Sequence, residues 1–247
     1  MLGLPDGVPT CLFDLDGVLT DTPSVHGAAW KETFDAFEQV GAERDGTTFV
    51  PFDSQHDYEE YVDGNPRLEE VRDFLTGRQI TLAEGTPSKP PTAETVNGLG
   101  GHKNAIVLHG IHTGGVHVFE GSGRHLVAAR QAGLHRAVVS SCANTGEVLA
   151  VTGLAPLVAL TVDGVTIHDE RLRGKPAPDT FLAAARRLGS QPAQCSVFED
   201  ALSGVAAGRA CHFGYVVGVD RVGQGAESRG HGADTVVQDL ADLLDRS

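Results

Sequence analysis

Beyond about residue 119, short apolar runs alternate with helical patterns that end at glycine. Strands are predicted at Ala137–Ser140, Leu157–Val162, Ser196–Phe198, Tyr215–Val219 and Thr235–Val237. Helices are predicted near 122–132, from Asn144 to Gly153, from Asp179 to Gly189, and near 203–210 and 239–244. Such an alternation points to a parallel sheet covered on both faces. One further apolar run, Cys11–Leu15, is interrupted by Asp14 and reads as a buried strand ending at a carboxylate. It belongs with the later strands. The expected fold is therefore α/β, a doubly wound, Rossmann-like parallel-sheet core built from residues 1–21 and 119–247, with residues 22–118 inserted as a helical cap.

Within the insertion, Thr22-Pro23 reads as the N-cap and first residue of a helix. That helix carries His26, Trp30, Phe34 and Phe37 on one face, and residues 38–61 are less regular. Asn65-Pro66 reads as a second start, with Leu68, Val71 and Leu75 forming a stripe that Gly77 ends. TLAEGTPSKPP, residues 81–91, is a long loop. Gly98, Gly100 and Gly101 precede a helix expected to begin near His102.

Composition narrows the function. A formal net charge of -14 over 247 residues repels nucleic acid and anionic lipid. A phosphorylated substrate would then need a local cation. The four cysteines have no metal-ligand spacing and suit reduced, cytosolic thiols. No apolar run reaches the roughly 20 residues of a membrane span, and the first residues lack a signal-peptide pattern. A cytoplasmic monomer is expected. His109, His112 and His117 are spaced too irregularly for a metal site.

Parallel sheets present ligands at the carboxyl ends of their strands, and polar residues gather there. Asp14 and Asp16 follow the first strand, Ser140 ends the next, Lys175 stands in a GKPAPD turn, and Glu199 and Asp200 follow Val197. Singly, each suits a turn, a cap or a solvated surface. Together they form a carboxylate-rich crevice in which like charges resist full ionisation. A magnesium ion relieves that repulsion, since it takes oxygen ligands, keeps waters and accepts a substrate phosphate. Lys175 and Ser140 add a cation and a hydrogen-bond donor for a phosphoryl group.

FDLDGVLTDT (13–22), VVSS (138–141), GKPAPD (174–179) and FEDALSG (198–204) resemble, in order, the four motifs of the haloacid dehalogenase superfamily. The resemblance implies that Asp14 is a nucleophile forming an aspartyl-phosphate and that Asp16 is the general acid and base. It implies magnesium held by Asp14, the Asp16 carbonyl and Asp200, with Glu199 assisting. Asp16 argues against dehalogenase and phosphonatase activity.

The cap resembles that of the β-phosphoglucomutase branch, through His26 and Trp30 in SVHGAAWK (24–31), Arg67 in DGNPR (63–67) and Lys103 in HKN (102–104). That implies a sugar-phosphate substrate moved between its 1- and 6-phosphates, with glucose 1,6-bisphosphate as activating intermediate. Thr22, His26, Trp30, Arg67, Lys103, Ser141 and Asn144 would line the substrate site, although Trp30 also suits packing. Arg67 and Lys103 are both expected near helix N-termini, where a shared dianion would offset a cation's conflict with the helix dipole. Where the family often has Ser and Lys in the second motif, this chain has Cys142 and Ala143, and the cap carries extra residues around 42–60 and 80–98. A phosphatase of the same superfamily is the alternative.

Overall fold

The computed structural model describes residues 2–62, 65–87 and 90–244. Asp63 and Gly64 of the DGNPR motif and Ser88 and Lys89 of the long loop lie outside them. The chain divides into two compact units, Met1–Thr22 with Val116–Ser247, and Pro23–Gly115.

In chain order the elements are β1 (Thr10–Phe13), α1 (Thr22–Asp45), α2 (His56–Tyr61), α3 (Arg67–Gly77), α4 (Val96–Gly114) and α5 (Glu120–Gln131). They continue with β2 (His135–Val139), α6 (Thr145–Val151), β3 (Leu160–Val162), α7 (Gly164–Glu170), α8 (Asp179–Arg187) and β4 (Cys195–Glu199). The last are α9 (Leu202–Ala210), β5 (Tyr215–Val219), α10 (Gly225–Gly230), β6 (Thr235–Val237) and α11 (Ala241–Leu244).

The first unit is built on a six-stranded sheet of order β3-β2-β1-β4-β5-β6, parallel throughout. This is the doubly wound α/β core that the alternation predicts. β1 lies at its centre, with Phe13 opposite both Val138 and Phe198. Burial on both faces explains why β1, β4 and β5 read as short, largely apolar runs. Leu12, Val139, Val162, Val197, Phe181 and Phe213 pack one side of the sheet.

On α5, His125 is fully buried. It packs edge-on against Phe13 and Phe198, with centroids 5.9 and 5.2 Å away, and its Nε2 is 3.3 Å from the Leu2 carbonyl. Burial holds its pKa below the ordinary 6.5, outweighing the Leu2 contact, which raises it. The unfolded chain therefore binds a proton at pH values where the folded chain stays neutral. Stability is full above about pH 6.5 and falls below it, by at most about 1.4 kcal/mol per pH unit for this group. His125→Phe is expected to flatten the slope of urea-unfolding free energy between about pH 5 and about 7. An unchanged slope would assign it to other groups.

The second unit has an aromatic core. Trp30 stacks on Phe34 at 4.5 Å and Phe34 on Phe74 at 3.7 Å, with Phe52, Val71 and Leu99 packed around them. Several sequence expectations shift here. α1 continues to Asp45, and α2 occupies part of the stretch read as irregular. The last turns of α1 are solvated and carry no apolar stripe for periodicity to reveal. α3 starts at Arg67, with Pro66 itself in the cap position.

α4 begins at Val96 rather than near His102, because Thr95 caps it by accepting the Gly98 N–H at 3.0 Å. Its glycines mark close approach rather than a turn. A Cβ on Gly98 would stand 1.9 Å from the Ala93 carbonyl oxygen, and one on Gly100 2.9 Å from Leu68 Cδ2.

In the first unit, the strand expected from Leu157 is β3 alone, since Pro156 sets a 3-10 turn over Ala155–Leu157. The short helices α7 and α10 were not anticipated. α7 is capped by Asp163, which accepts the Thr166 N–H at 2.9 Å, so Asp163-Gly164 begins a helix instead of making a turn. None of the four cysteines forms a disulfide. Among the described residues, no helix is long and apolar enough to cross a membrane.

Candidate active site

The register of β1 with β2 and β4 places Asp14, Ser140 and Glu199 together at the carboxyl edge of the sheet, where the strand order reverses. Asp14 is anchored by its N–H donating to the Phe198 carbonyl at 2.9 Å, and Ser140 by its N–H donating to Val162 at 3.0 Å.

Asp14 is almost fully buried. Lys175 donates to its Oδ1 at 2.5 Å, ion-pairs with Glu199 Oε1 and donates to the Val139 carbonyl at 3.3 Å. Burial raises the Asp14 pKa well above the ordinary aspartate value; Lys175 opposes the shift, while Glu199 and Asp16 add to it. Burial alone would lower the Lys175 pKa, but the Asp14 and Glu199 carboxylates outweigh it and hold the ammonium firmly charged. Glu199 is fully buried. Its Oε2 accepts the Ala201 N–H at 3.0 Å, and the missing Cβ of Gly204 makes room for the carboxylate.

Both oxygens of Asp16 are held. Ser140 Oγ donates to Oδ2 at 2.8 Å, and the Thr22 hydroxyl donates to Oδ1. Ser140 Oγ in turn accepts the Cys142 N–H at 3.0 Å. Thr22 and Thr20 share a 3.0 Å hydroxyl contact, and Thr20 also donates to the Leu15 carbonyl. Gly17 turns the chain at φ +85. Asp200 lies against it so closely that a Cβ there would be 1.8 Å from Asp200 Oδ2.

A second cluster lies within the inserted unit. His26 Nδ1 is 2.6 Å from Lys103 Nζ. Lys103 also stands 3.7 Å from Glu70 Oε2 and 4.8 Å from the Trp30 ring, and Trp30 Nε1 donates to Glu70 at 3.0 Å. Trp30 is fully buried in the aromatic core and packs rather than lining a site. Lys103 lies two turns inside α4 and not at its N-terminus, so the dipole argument holds for Arg67 alone, which opens α3. Glu70 escaped sequence reasoning; the need to balance a buried lysine was its only signal.

Ser141, the last residue of the second motif, is half-buried. Asn144 occupies the N-cap position of α6, but its side chain makes no capping bond; its N–H donates to Cys142 Sγ at 3.3 Å. His112 bonds its own helix at the Leu108 carbonyl. Among the described residues, no three His, Cys, Asp or Glu side chains are grouped to hold an ion by themselves.

A hard cation that keeps waters and takes substrate oxygens still fits the donor chemistry at the sheet edge. Asp200 is pressed against the turn that carries the Asp16 carbonyl, and Asp14 lies among more acids than Lys175 neutralises. Glu199 fits less well as a ligand, because its carboxylate is engaged by Lys175 and Ala201.

The model of the haloacid dehalogenase-like hydrolase family matches residues 8–212. A β-phosphoglucomutase from Mycobacterium bovis is 56% identical over 99% of this chain and 94% of its own length. A β-phosphoglucomutase from Bacillus subtilis is 30% identical over 94% of this chain and 90% of its own. In fold, the crystal structure of a β-phosphoglucomutase from Clostridium difficile superposes with a TM-score of 0.75 over 96% of this chain and 93% of that one, at 23% identity. With the motif residues gathered at one edge of a parallel sheet and relatives matched along nearly the whole length, the chain belongs to the haloacid dehalogenase-like hydrolase family, in its β-phosphoglucomutase-like branch.

Proposed function

We propose that this chain is a β-phosphoglucomutase, interconverting β-glucose 1-phosphate and glucose 6-phosphate through an aspartyl-phosphate at Asp14 and a bisphosphate intermediate. The observation that carries the proposal is the 56% identity, over nearly the whole of both chains, with a β-phosphoglucomutase. The arrangement around Asp14 supports the same reading.

In the first half-reaction an Asp14 carboxylate oxygen attacks one phosphorus of glucose 1,6-bisphosphate, and the bond from that phosphorus to the sugar oxygen breaks, releasing a glucose monophosphate. Asp16 gives its proton to that leaving oxygen. In the second half, the free hydroxyl of the other sugar phosphate attacks the phosphoryl group on Asp14 while Asp16 takes the hydroxyl proton, restoring the starting enzyme. Ser140 and Thr22, one on each Asp16 oxygen, hold the carboxyl in place for both transfers. Lys175 remains charged throughout and offsets negative charge beside Asp14. Magnesium, held by Asp14, Asp200 and the Asp16 carbonyl, would supply charge neutralisation to the phosphoryl oxygens. Glucose 1,6-bisphosphate would serve as the phosphoryl source that primes Asp14.

Within the inserted unit, Arg67, His26 and Lys103 are assigned to sugar-phosphate binding by the family resemblance; within the first unit, Ser141 and Asn144 carry the same assignment. Glu70 holds Lys103 and Trp30 in register for that task.

The test mixes the pure chain with β-glucose 1-phosphate, magnesium and a trace of glucose 1,6-bisphosphate, and follows glucose 6-phosphate and free phosphate together. Glucose 6-phosphate with little free phosphate is the expected outcome. Free phosphate without isomerisation would make the chain a phosphatase and put Cys142 and Ala143 first among the suspects.

A further inference from the structure

The loop after β5 touches both carboxylate-bearing turns of the site. Arg221 Nε donates to the Gly17 carbonyl at 3.1 Å, and Gln224 Nε2 donates to the Asp200 carbonyl at 3.3 Å. Gly17 follows Asp16 directly, and its neighbour across the turn is the Asp200 carboxylate. One short loop thus holds the backbone of both arms.

The loop is itself fixed. Asp220 Oδ1 accepts the N–H groups of Gly223 and Gln224 at 2.6 and 2.9 Å. The Arg221 guanidinium reaches the Gln238 carbonyl at 2.8 Å, Asp239 Oδ2 at 3.0 Å and Ser122 Oγ at 3.3 Å. It also lies 3.8 Å over the Phe119 ring. Its planar fork is therefore used on nearly every side, with the side chain only 20% exposed. A lysine could not make this set of contacts.

Glycine explains why such an anchor is needed. Gly17 is at φ +85, in a turn where the approach of Asp200 excludes any side chain. A glycine peptide left to itself is the least constrained in a chain. A carbonyl bond from a rigid guanidinium removes that freedom.

We propose that Arg221 and Gln224 are positioning residues which together set the spacing between the Asp16–Gly17 turn and Asp200. The proposal rests on the reading of Asp16 and Asp200 as magnesium-holding groups. Neither residue touches the reacting atoms. Outer supports of this kind govern metal affinity by about 10- to 100-fold, and turnover falls steeply when reacting groups are misplaced by about 1 Å.

The test is calorimetric titration of the full chain with magnesium alone, alongside steady-state kinetics and thermal melts, for Arg221→Met and Gln224→Ala. Each is expected to weaken magnesium binding by about tenfold or more, lowering kcat with KM for β-glucose 1-phosphate little changed. Arg221→Lys should recover only a small part. Arg209→Met is the control. It removes a guanidinium that binds Gly232 and Asp234 ahead of β6, so it should lower the melting temperature and leave magnesium binding and kcat alone. Should Arg221→Met not fold, Gln224→Ala carries the test. Loss of thermal stability alone, with magnesium affinity and kcat as in the parent chain, would overturn the positioning role. A parent chain that takes up no magnesium would overturn the ligand reading as well, so the two failures are separable.

Discussion

Asp14→Asn is expected to reduce turnover by about 10⁴-fold or more, with the fold kept and the melting temperature unchanged or higher. Asparagine has the same shape but cannot form the acyl phosphate. It also removes one acid from a crowded set, because Asp14 shares its surroundings with Glu199 and Asp16 and burial already opposes its charge. Lys175 keeps Glu199 as its partner. Activity and thermal stability therefore move independently or in opposite directions. Full turnover in Asp14→Asn, after checking by mass spectrometry that the asparagine has not reverted, would remove Asp14 as nucleophile.

Lys175→Met is expected to damage both properties. The ammonium is buried against Asp14 and Glu199, themselves buried. Taking it away leaves two buried carboxylates without their cation, a change that costs about 3–5 kcal/mol. Against a typical total of about 5–15 kcal/mol, that brings the chain near its unfolding limit. Urea denaturation should show the midpoint falling sharply. Adding Glu199→Gln to Lys175→Met should recover part of the stability, since the two positions are in contact and their effects do not add. Turnover should stay low in the double variant. A Lys175→Met chain as stable as its parent would mean that water or a proton replaces the lysine at little cost.

The core was more legible in the sequence than the cap, and the reason is physical. β5 and β6 were read to the residue: β5 because a strand buried on both faces must be apolar and ends abruptly at polar turns, and β6, at the sheet edge, because its short TVV run is bounded by polar residues. Asp14, Asp16, Ser140 and Asp200 stood out because they follow such runs, and Lys175 because it stands in the GKPAPD turn. α4 was misplaced because its glycines look like a turn, whereas they admit Ala93 and Leu68 to the helix surface. Nothing local signals that. Glu70 and Arg221 were invisible for a related reason. Their partners are Trp30, Lys103, Gly17 and Asp239, all distant in sequence, so only the fold makes them neighbours.

The central position of β1 has a consequence for how the chain is made. Thr10 pairs with His135 on one side and with Cys195 on the other. The strand that leads to Asp14 is thus synthesised before both of its neighbours, β2 and β4. The inserted unit, Pro23–Gly115, is complete before either partner strand exists. It can fold as a unit while β1 waits with two open edges, the state most exposed to pairing with a stranger. Closing the sheet around β1 requires long-range pairings, whose loop-closure entropy slows folding. Synthesis thus runs from an unfinished site, through a finished insertion, to a sheet that closes from both sides only when β4 emerges.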